Sequence, residues 1–357
     1  MNRIASGLTV RDIYQKGVFF YSDSDSYCYV ANCLADGLSQ LGIPVFSNID
    51  YTEPAISDFR FHASKDKDLI QGASCLLLNL QQTYNSIYKW QMVMFEPLHE
   101  RMFALSMQDN VSEFGLYGVN AFFCCHENRF RRITGNRVPV AFGLSSSIMR
   151  RAVQLPDFSS RSMVFLDSFR RSLGQEVRAC MDLALIPQLE RYFTVNQMNA
   201  GNGRLSPEFY DLLASCMGSL AYGGFFFQNL LKNEYFARNP ELKEFNSNLF
   251  QSRETVVLRW DSWRFWESLA FGCATLSLDF DKYGFMLPVM PENWKHYIGL
   301  DLSDIRRDVE RMHDERDRLP EIAEAGRCWA IEHYSPVAVS RRFIAELCRY
   351  SSDAGVV

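Results

Sequence analysis

Arg259-Trp260-Asp261-Ser262-Trp263-Arg264-Phe265-Trp266-Glu267-Ser268-Leu269-Ala270-Phe271-Gly272-Cys273-Ala274-Thr275-Leu276-Ser277-Leu278 is the most informative stretch of the chain. An Arg and a Glu three positions apart, set among aromatic and then small apolar residues, predict a short helix with both charges near one face. Gly272 supplies the residue that most easily takes the left-handed conformation at a helix end, and a strand follows at once.

The same alternation runs outward to the N-terminus. Gly17-Val18-Phe19-Phe20-Tyr21 is a short apolar run, Ser22 to Ser26 is a polar turn, and Tyr27 to Leu41 carries apolar residues at helical spacing. Gly42 stops that helix and Ile43-Pro44-Val45-Phe46 begins a second strand, so the chain opens as a βαβ unit, which implies a parallel sheet covered by helices. Further strands are expected at Cys75–Leu80, Met102–Ser106, Ala121–Cys125 and Val138–Phe142. The polar stretch Asp157 to Ser162 then marks a linker. A second alternation starts with Met163-Val164-Phe165-Leu166-Asp167 and a long helical pattern from about Gly174 to Tyr192.

Two domains follow from length as well, because 357 residues exceed what one core supports. The expected division is 1–155 and 156–335, with a last helix at about 336–351 packing back on the first domain. Tyr235 to Ser252 is polar and irregular and is expected as a loop or short helices. Asp304 to Arg318 has the mixed charge of a solvated helix face, and Glu321 to His333 continues as a helix. Ser335-Pro336 opens the last one, Ser335 as N-cap and Pro336 at the first helical position.

Hydrophobic residues at 47% and charged residues at 22% exclude disorder as the main state. A net charge of −5 argues against a surface that grips nucleic acid along its whole length, leaving a local basic pocket open. The first 30 residues lack the pattern of a signal peptide, and no apolar run reaches the roughly 18 residues a membrane helix needs. Ten cysteines scattered among apolar residues, with no C-x-x-C pair, suit a reducing compartment, so a cytoplasmic location is expected. Cys124-Cys125 beside His126 suggests a metal ligand or nucleophile, but the preceding Ala121-Phe122-Phe123 favours a buried strand.

Residues 259–278 resemble the signature of GT-B glycosyltransferases, in which an Arg and an aromatic precede a Glu on a helix, a Gly ends the helix and a strand begins. The resemblance implies two facing Rossmann-like domains with parallel sheets and a C-terminal crossing helix. It also implies a hexosyltransferase-like enzyme that takes a sugar from a nucleotide-sugar donor and needs no cofactor. The physics agrees: a carboxylate near the start of a helix accepts two hydrogen bonds from vicinal ribose hydroxyls, which suits Glu267, and Arg264 near the same face reaches a phosphate oxygen with a charge-assisted bond. The plainer alternative is a surface ion pair worth about 0.3 kcal/mol.

A second candidate is Ser168-Phe169-Arg170-Arg171-Ser172-Leu173-Gly174-Gln175-Glu176-Val177-Arg178. Hydroxyls, a Gly turn and three Arg at a strand-to-helix junction make an anion cradle, since free N–H groups and the helix dipole add to the guanidinium charge. The segment resembles the diphosphate loop of the same superfamily and the corresponding loop of phage DNA β-glucosyltransferases. Ser168, Arg170, Arg171 and Arg178 are therefore the expected diphosphate contacts, with either Arg170 or Arg171 pointing inward, and arginines would stand in for a metal. Between the two segments, Leu205 to Tyr210 with Ala214-Ser215 resembles the helix that precedes the nucleotide pocket, and Gly223-Gly224 allows close backbone approach.

An inverting transfer needs a base for the acceptor hydroxyl. Asp109, after the Met102–Ser106 strand, resembles the catalytic Asp of the phage enzymes; Asp23 and Asp25, in the first strand-to-helix turn, are alternatives, and Glu96, His99, Glu100 and His126 rank below them. A retaining transfer needs none. The acceptor stays open among a glycan, a lipid-linked intermediate, a small molecule and a macromolecule.

Three other readings compete. Asp23-Ser24-Asp25 resembles the start of haloacid-dehalogenase phosphatases, with Asp279 and Asp281 as their acidic pair, but no Lys stands in the required place. The D-x-D spelling of residues 23–25 or 66–68 resembles the metal-binding motif of the other large glycosyltransferase fold. A glycosyltransferase-like scaffold that binds a sugar nucleotide or a partner without turnover suits the Phe-rich Tyr222–Phe227 stretch, which a buried strand explains equally well.

Overall fold

The structure, a computed structural model, describes residues 7–22, 24–64, 66–80, 101–107, 119–130, 136–169, 176–198, 207–227 and 256–352. In chain order the elements are α1 (Val10–Lys16), β1 (Val18–Ser22), α2 (Tyr29–Gln40), β2 (Val45–Ser47), β3 (Tyr51–Thr52), β4 (Arg60–Phe61), α3 (Lys67–Gly72), β5 (Cys75–Leu80), β6 (Met102–Ser106), β7 (Ala121–Cys124), β8 (Arg137–Pro139) and α4 (Ser146–Arg151). They continue with β9 (Ser162–Asp167), α5 (Glu176–Ala184), α6 (Ile186–Leu189), β10 (Thr194–Gln197), α7 (Pro207–Ser215), β11 (Cys216–Leu220), β12 (Phe225–Phe227) and β13 (Val256–Leu258). The last are α8 (Trp263–Ala270), β14 (Ala274–Leu278), β15 (Ile298–Leu300), α9 (Ile305–Asp314), α10 (Leu319–Tyr334) and α11 (Pro336–Ser352).

Two compact units result. One comprises Met1–Cys125, Ile133–Ser147 and His333–Val357; the other comprises His126–Arg132 and Ile148–Glu332. The first is built on a six-stranded sheet in the order β2-β1-β5-β6-β7-β8, every neighbouring pair parallel. Its central strands are apolar on both faces, as a sheet covered on both sides requires. Phe19, Leu76, Leu78, Met102, Ala104, Phe122 and Cys124 form one core cluster. On another layer Phe123 meets Phe343 of α11 with ring centroids 4.8 Å apart. Helix α11 lies against α2, where the Ser340 hydroxyl donates to the Leu34 carbonyl at 3.0 Å.

The second unit carries a five-stranded parallel sheet, β10-β9-β11-β14-β15, and an antiparallel pair, β12 and β13. Of the Phe-rich stretch, Phe225–Phe227 form β12, with Phe226 buried and Phe225 partly so, and Tyr222 is buried just ahead of the strand.

Several boundaries differ from the sequence reading. The expected 174–192 helix is two helices parted at Leu185. Pro187 has no N–H to donate, and its ring would crowd the carbonyl of Leu183 in a continuous helix. The strand expected over Val138–Phe142 stops at Pro139 for the same want of a donor on the ladder, although Val140 adds one bond to the Cys124 carbonyl at 2.9 Å. Helix α9 ends at Asp314 and gives way to a 3-10 turn at Arg316–Arg318, and Asp308 faces inward, so that segment is not solvated on every side. Helix α10 begins at Leu319 with Pro320 inside its first turn, where the missing N–H costs nothing. The loop expected at 235–252 lies outside the described residues.

Arg161, in the stretch expected as linker, has a structural task. Its guanidinium donates to the carbonyls of Phe271 at 2.8 Å and Gly272 at 2.9 Å, at the C-terminus of α8. Arg327 adds a bond to the Ala270 carbonyl at 3.2 Å. These are orphan acceptors at the negative end of the helix dipole, and Gly272, at φ 61°, turns the chain there. Arg161→Met is expected to lower the unfolding free energy by about 2 kcal/mol, the scale of charged hydrogen bonds lost to partly buried carbonyls. Urea titration reads this directly, and a loss below about 0.5 kcal/mol would mean that water replaces the caps.

Candidate functional site

In an open parallel sheet, ligands bind beyond the carboxyl ends of the strands where successive connections diverge to opposite sides. In the second sheet that place lies between β9 and β11, because β10 flanks β9 on one side and β11 on the other. Ser168 and Phe169 leave β9 there, and Ala221 to Gly224 leave β11. Ser168 is buried and its hydroxyl has no hydrogen-bond partner among the described residues. A buried hydroxyl left unpaired costs about 1–3 kcal/mol, which makes Ser168 a candidate ligand contact.

Phe169 packs on Tyr222 at 4.8 Å between ring centroids, and the Arg178 guanidinium lies 4.5 Å from the Phe169 ring centroid. The Arg178 side chain also donates to the Tyr222 carbonyl at 3.4 Å. The first turn of α5 is tied to the same segment: the Glu176 carboxylate accepts from the Phe226 N–H at 2.9 Å, and the Val177 N–H donates to the Gly224 carbonyl at 3.2 Å. Burial pushes the Glu176 carboxyl above its ordinary range, an effect the Phe226 N–H opposes. Phe169, the residue after Ser168, thus joins Arg178 and Tyr222 at the β9 and β11 ends. Arg170 and Arg171 lie outside the described residues.

Arg264 and Glu267 form a second cluster, on α8. Glu267 is wholly buried. One carboxylate oxygen accepts from the Tyr210 hydroxyl of α7 at 3.0 Å, and the other accepts from the Arg264 guanidinium. That guanidinium lies over the Phe209 ring at 4.1 Å, while Tyr210 stacks on Phe271 with centroids 5.3 Å apart. Burial, with the Glu267 carboxylate beside it, pushes the Tyr210 phenol well above its usual range, so it remains a donor. The surface ion pair of the plainer sequence reading is therefore excluded, since one partner has no exposure at all. Sequence spacing alone pointed to Arg264 with Glu267; Phe209 and Tyr210 reach them from another helix.

A residue ranked low by sequence also arrives here. His126 follows β7, folds with the second unit, and is buried at φ 61°. Its Nδ1 accepts the Asp261 N–H at 3.0 Å, just ahead of α8, and the Asp261 carboxylate accepts the Trp266 indole N–H at 2.7 Å. Asn128 reinforces the junction by donating to the carbonyls of Val257 at 3.3 Å and Tyr283 at 2.9 Å. The available signal was a polar His-Glu-Asn directly after an apolar strand, at its carboxyl end.

In the first unit the corresponding divergence lies between β1 and β5. Asp25 is exposed in the turn after β1. Asp23, Asp109, Glu96, His99 and Glu100 lie outside the described residues. The acidic residues of the rival readings have local tasks: Asp66 caps α3, accepting the Asp68 N–H at 2.9 Å, and Asp279 accepts the N–H groups of Asp281 at 2.9 Å and Lys282 at 3.1 Å. No helix among the described residues is long and apolar enough to cross a membrane.

No family model matches the sequence, and no curated protein matches it. Among solved structures the chain is similar to an alpha-glucosyltransferase (AGT) in complex with UDP, with a TM-score of 0.54 at 11% identity over 92% of this chain and 98% of that one. An alpha-glucosyltransferase in complex with UDP and a 13-mer DNA containing a HMU base gives a TM-score of 0.55 at 10% identity, again over 92% and 98%. Anabaena HepE in complex with UDP and glucose gives 0.50 at 10% identity over 93% and 99%. At such identities the likeness speaks for architecture alone. The two α/β units on parallel sheets and the helix α11 that returns to the first unit have the GT-B fold.

Proposed function

We propose that the chain transfers a sugar from a nucleoside-diphosphate sugar to an acceptor. The observation that carries this is the buried Glu267 carboxylate, which stands in the second turn of α8 rather than the first and is held there by Tyr210 and by Arg264 of the first turn. The structural neighbours crystallised with UDP support the choice of UDP-glucose as first donor to test. In this reading Glu267 takes the ribose hydroxyls. Arg264 and Arg178, with Arg170 and Arg171, neutralise the diphosphate as it leaves, and the Ser168 hydroxyl donates a hydrogen bond to it.

Asp109 is the proposed base for an inverting transfer, with Asp23 and Asp25 behind it. The anomeric configuration of the product decides whether a base is needed at all: inversion requires one, and retention removes the need. The acceptor is a separate question, since DNA accompanies one neighbour and glucose another.

A thermal-shift panel of nucleoside diphosphates and nucleotide sugars tests the donor, because a ligand that binds the folded state raises its melting temperature. Release of free nucleoside diphosphate then separates transfer or hydrolysis from binding alone; binding with no release would favour a non-catalytic sugar-nucleotide scaffold. Charge neutralisation by arginine predicts that EDTA leaves the rate of release within about twofold of the untreated rate. A loss restored by manganese would overturn that part of the proposal.

A further inference from the structure

Both oxygens of Glu267 are engaged and neither is open to solvent, so an arriving ligand reaches the carboxylate only by displacing a group that covers it. With no exposure to solvent, its carboxylate is paired on one oxygen with Tyr210 and on the other with Arg264. A buried charge cannot shed a partner without a replacement, so a new donor must enter as an old one leaves. The two donors differ in how firmly they are held. Tyr210 is fixed by its stack on Phe271, with the Arg151 guanidinium 5.0 Å from its ring centroid. Arg264 retains 20% side-chain exposure and rests on Phe209. It also stands in the first turn of α8, where a cation meets the positive end of the helix dipole, so Glu267 and Phe209 hold it against that field. An anion arriving at this helix end is favoured by the dipole and by the guanidinium together.

We propose that the Arg264–Glu267 pair is a latch opened by a nucleoside diphosphate. The diphosphate draws the Arg264 guanidinium away, ribose hydroxyls replace it on the freed Glu267 oxygen, and Tyr210 holds the other oxygen throughout. Tyr210 is thus a positioning residue for the ribose carboxylate. The latch rests on the nucleotide-sugar reading of this unit and adds a consequence to it. A nucleoside without phosphates must break the ion pair and offers the displaced guanidinium nothing, so the latch selects against it.

The test is calorimetric titration of matched pairs, uridine with UDP, guanosine with GDP and adenosine with ADP, into the wild-type chain, Arg264→Met and Tyr210→Phe. For the base that the wild-type chain accepts, Arg264→Met is expected to bind the diphosphate about tenfold more weakly, on the scale of one lost charged bond, and the nucleoside about threefold more tightly. Tyr210→Phe is expected to weaken both by about the same factor, near fivefold. Should Arg264→Met fail to fold, Arg264→Lys keeps the charge and loses the fork, and the ratio of diphosphate to nucleoside affinity should still fall about threefold. An Arg264 variant that weakens nucleoside and diphosphate equally, or changes the diphosphate alone, overturns the latch while leaving the donor assignment standing. A wild-type chain that binds none of the pairs overturns both.

Discussion

Glu267→Gln is expected to leave a folded protein whose affinity for its nucleoside-diphosphate sugar falls about ten- to hundredfold, whereas Glu267→Ala is expected to lose about 3–5 kcal/mol of folding stability as well. The difference lies in what each change leaves behind. Alanine removes the acceptor of the Tyr210 hydroxyl and the counter-charge of Arg264 together, inside a site closed to water. Glutamine keeps the volume and one oxygen for Tyr210 but offers an ammonia-derived N–H₂ where ribose or guanidinium donors need an acceptor. Urea unfolding and donor calorimetry on the two variants separate the effects. A folded Glu267→Gln variant with unchanged affinity would sink the ribose assignment, and a Glu267→Ala variant as stable as the parent would sink the buried-pair energetics.

The second large effect is expected at Gly37. A Cβ built there would overlap the Pro336 carbonyl and the Ser340 hydroxyl, so α2 and α11 cross with backbone almost against backbone. Glycine inside a helix costs about 1 kcal/mol relative to alanine, and the close crossing is what offsets that cost. Gly37→Leu recovers most of the propensity but must push the last helix off its seat, for a net loss of about 2–3 kcal/mol. Hydrogen exchange in residues 336–352 should accelerate, because Ser340 loses its bond to Leu34 and Phe343 its place against Phe123. A rise in melting temperature on this substitution would contradict the crossing.

Legibility in the sequence followed the range of the signal. The strands at Cys75–Leu80 and Met102–Ser106 were plain because a strand buried on both faces is a continuous apolar run. The α8 segment was plain because its glycine stop and the strand behind it are adjacent in the chain. Local rules misjudged places where two of them compete: the helical spacing at 174–192 was broken by Pro187, and the charged face at 304–318 had Asp308 turned inward to accept the Asp301 N–H at 2.6 Å. Phe209 and Tyr210 were legible as part of a helix resembling the one that precedes the nucleotide pocket, but their pairing with Arg264 and Glu267 carried no signal, since those partners lie 55 and 57 positions away in the chain.

By itself the sequence determined the alternation of strands and helices, and hence parallel sheets, because burial on a sheet face and on a helix face impose periods that each segment must satisfy alone. It also placed Arg264 and Glu267 near one face of one helix, since i, i+3 spacing is fixed by helix geometry. Only the tertiary structure decided that this pair is buried, that Tyr210 and Phe209 complete it, and that His126 braces the backbone ahead of α8. Burial and pairing between distant segments arise from how helices and loops pack on the sheet, and no local period records that. The Arg264–Glu267 pair accordingly changes from two charges on a helix to a closed site whose opening requires an exchange of partners.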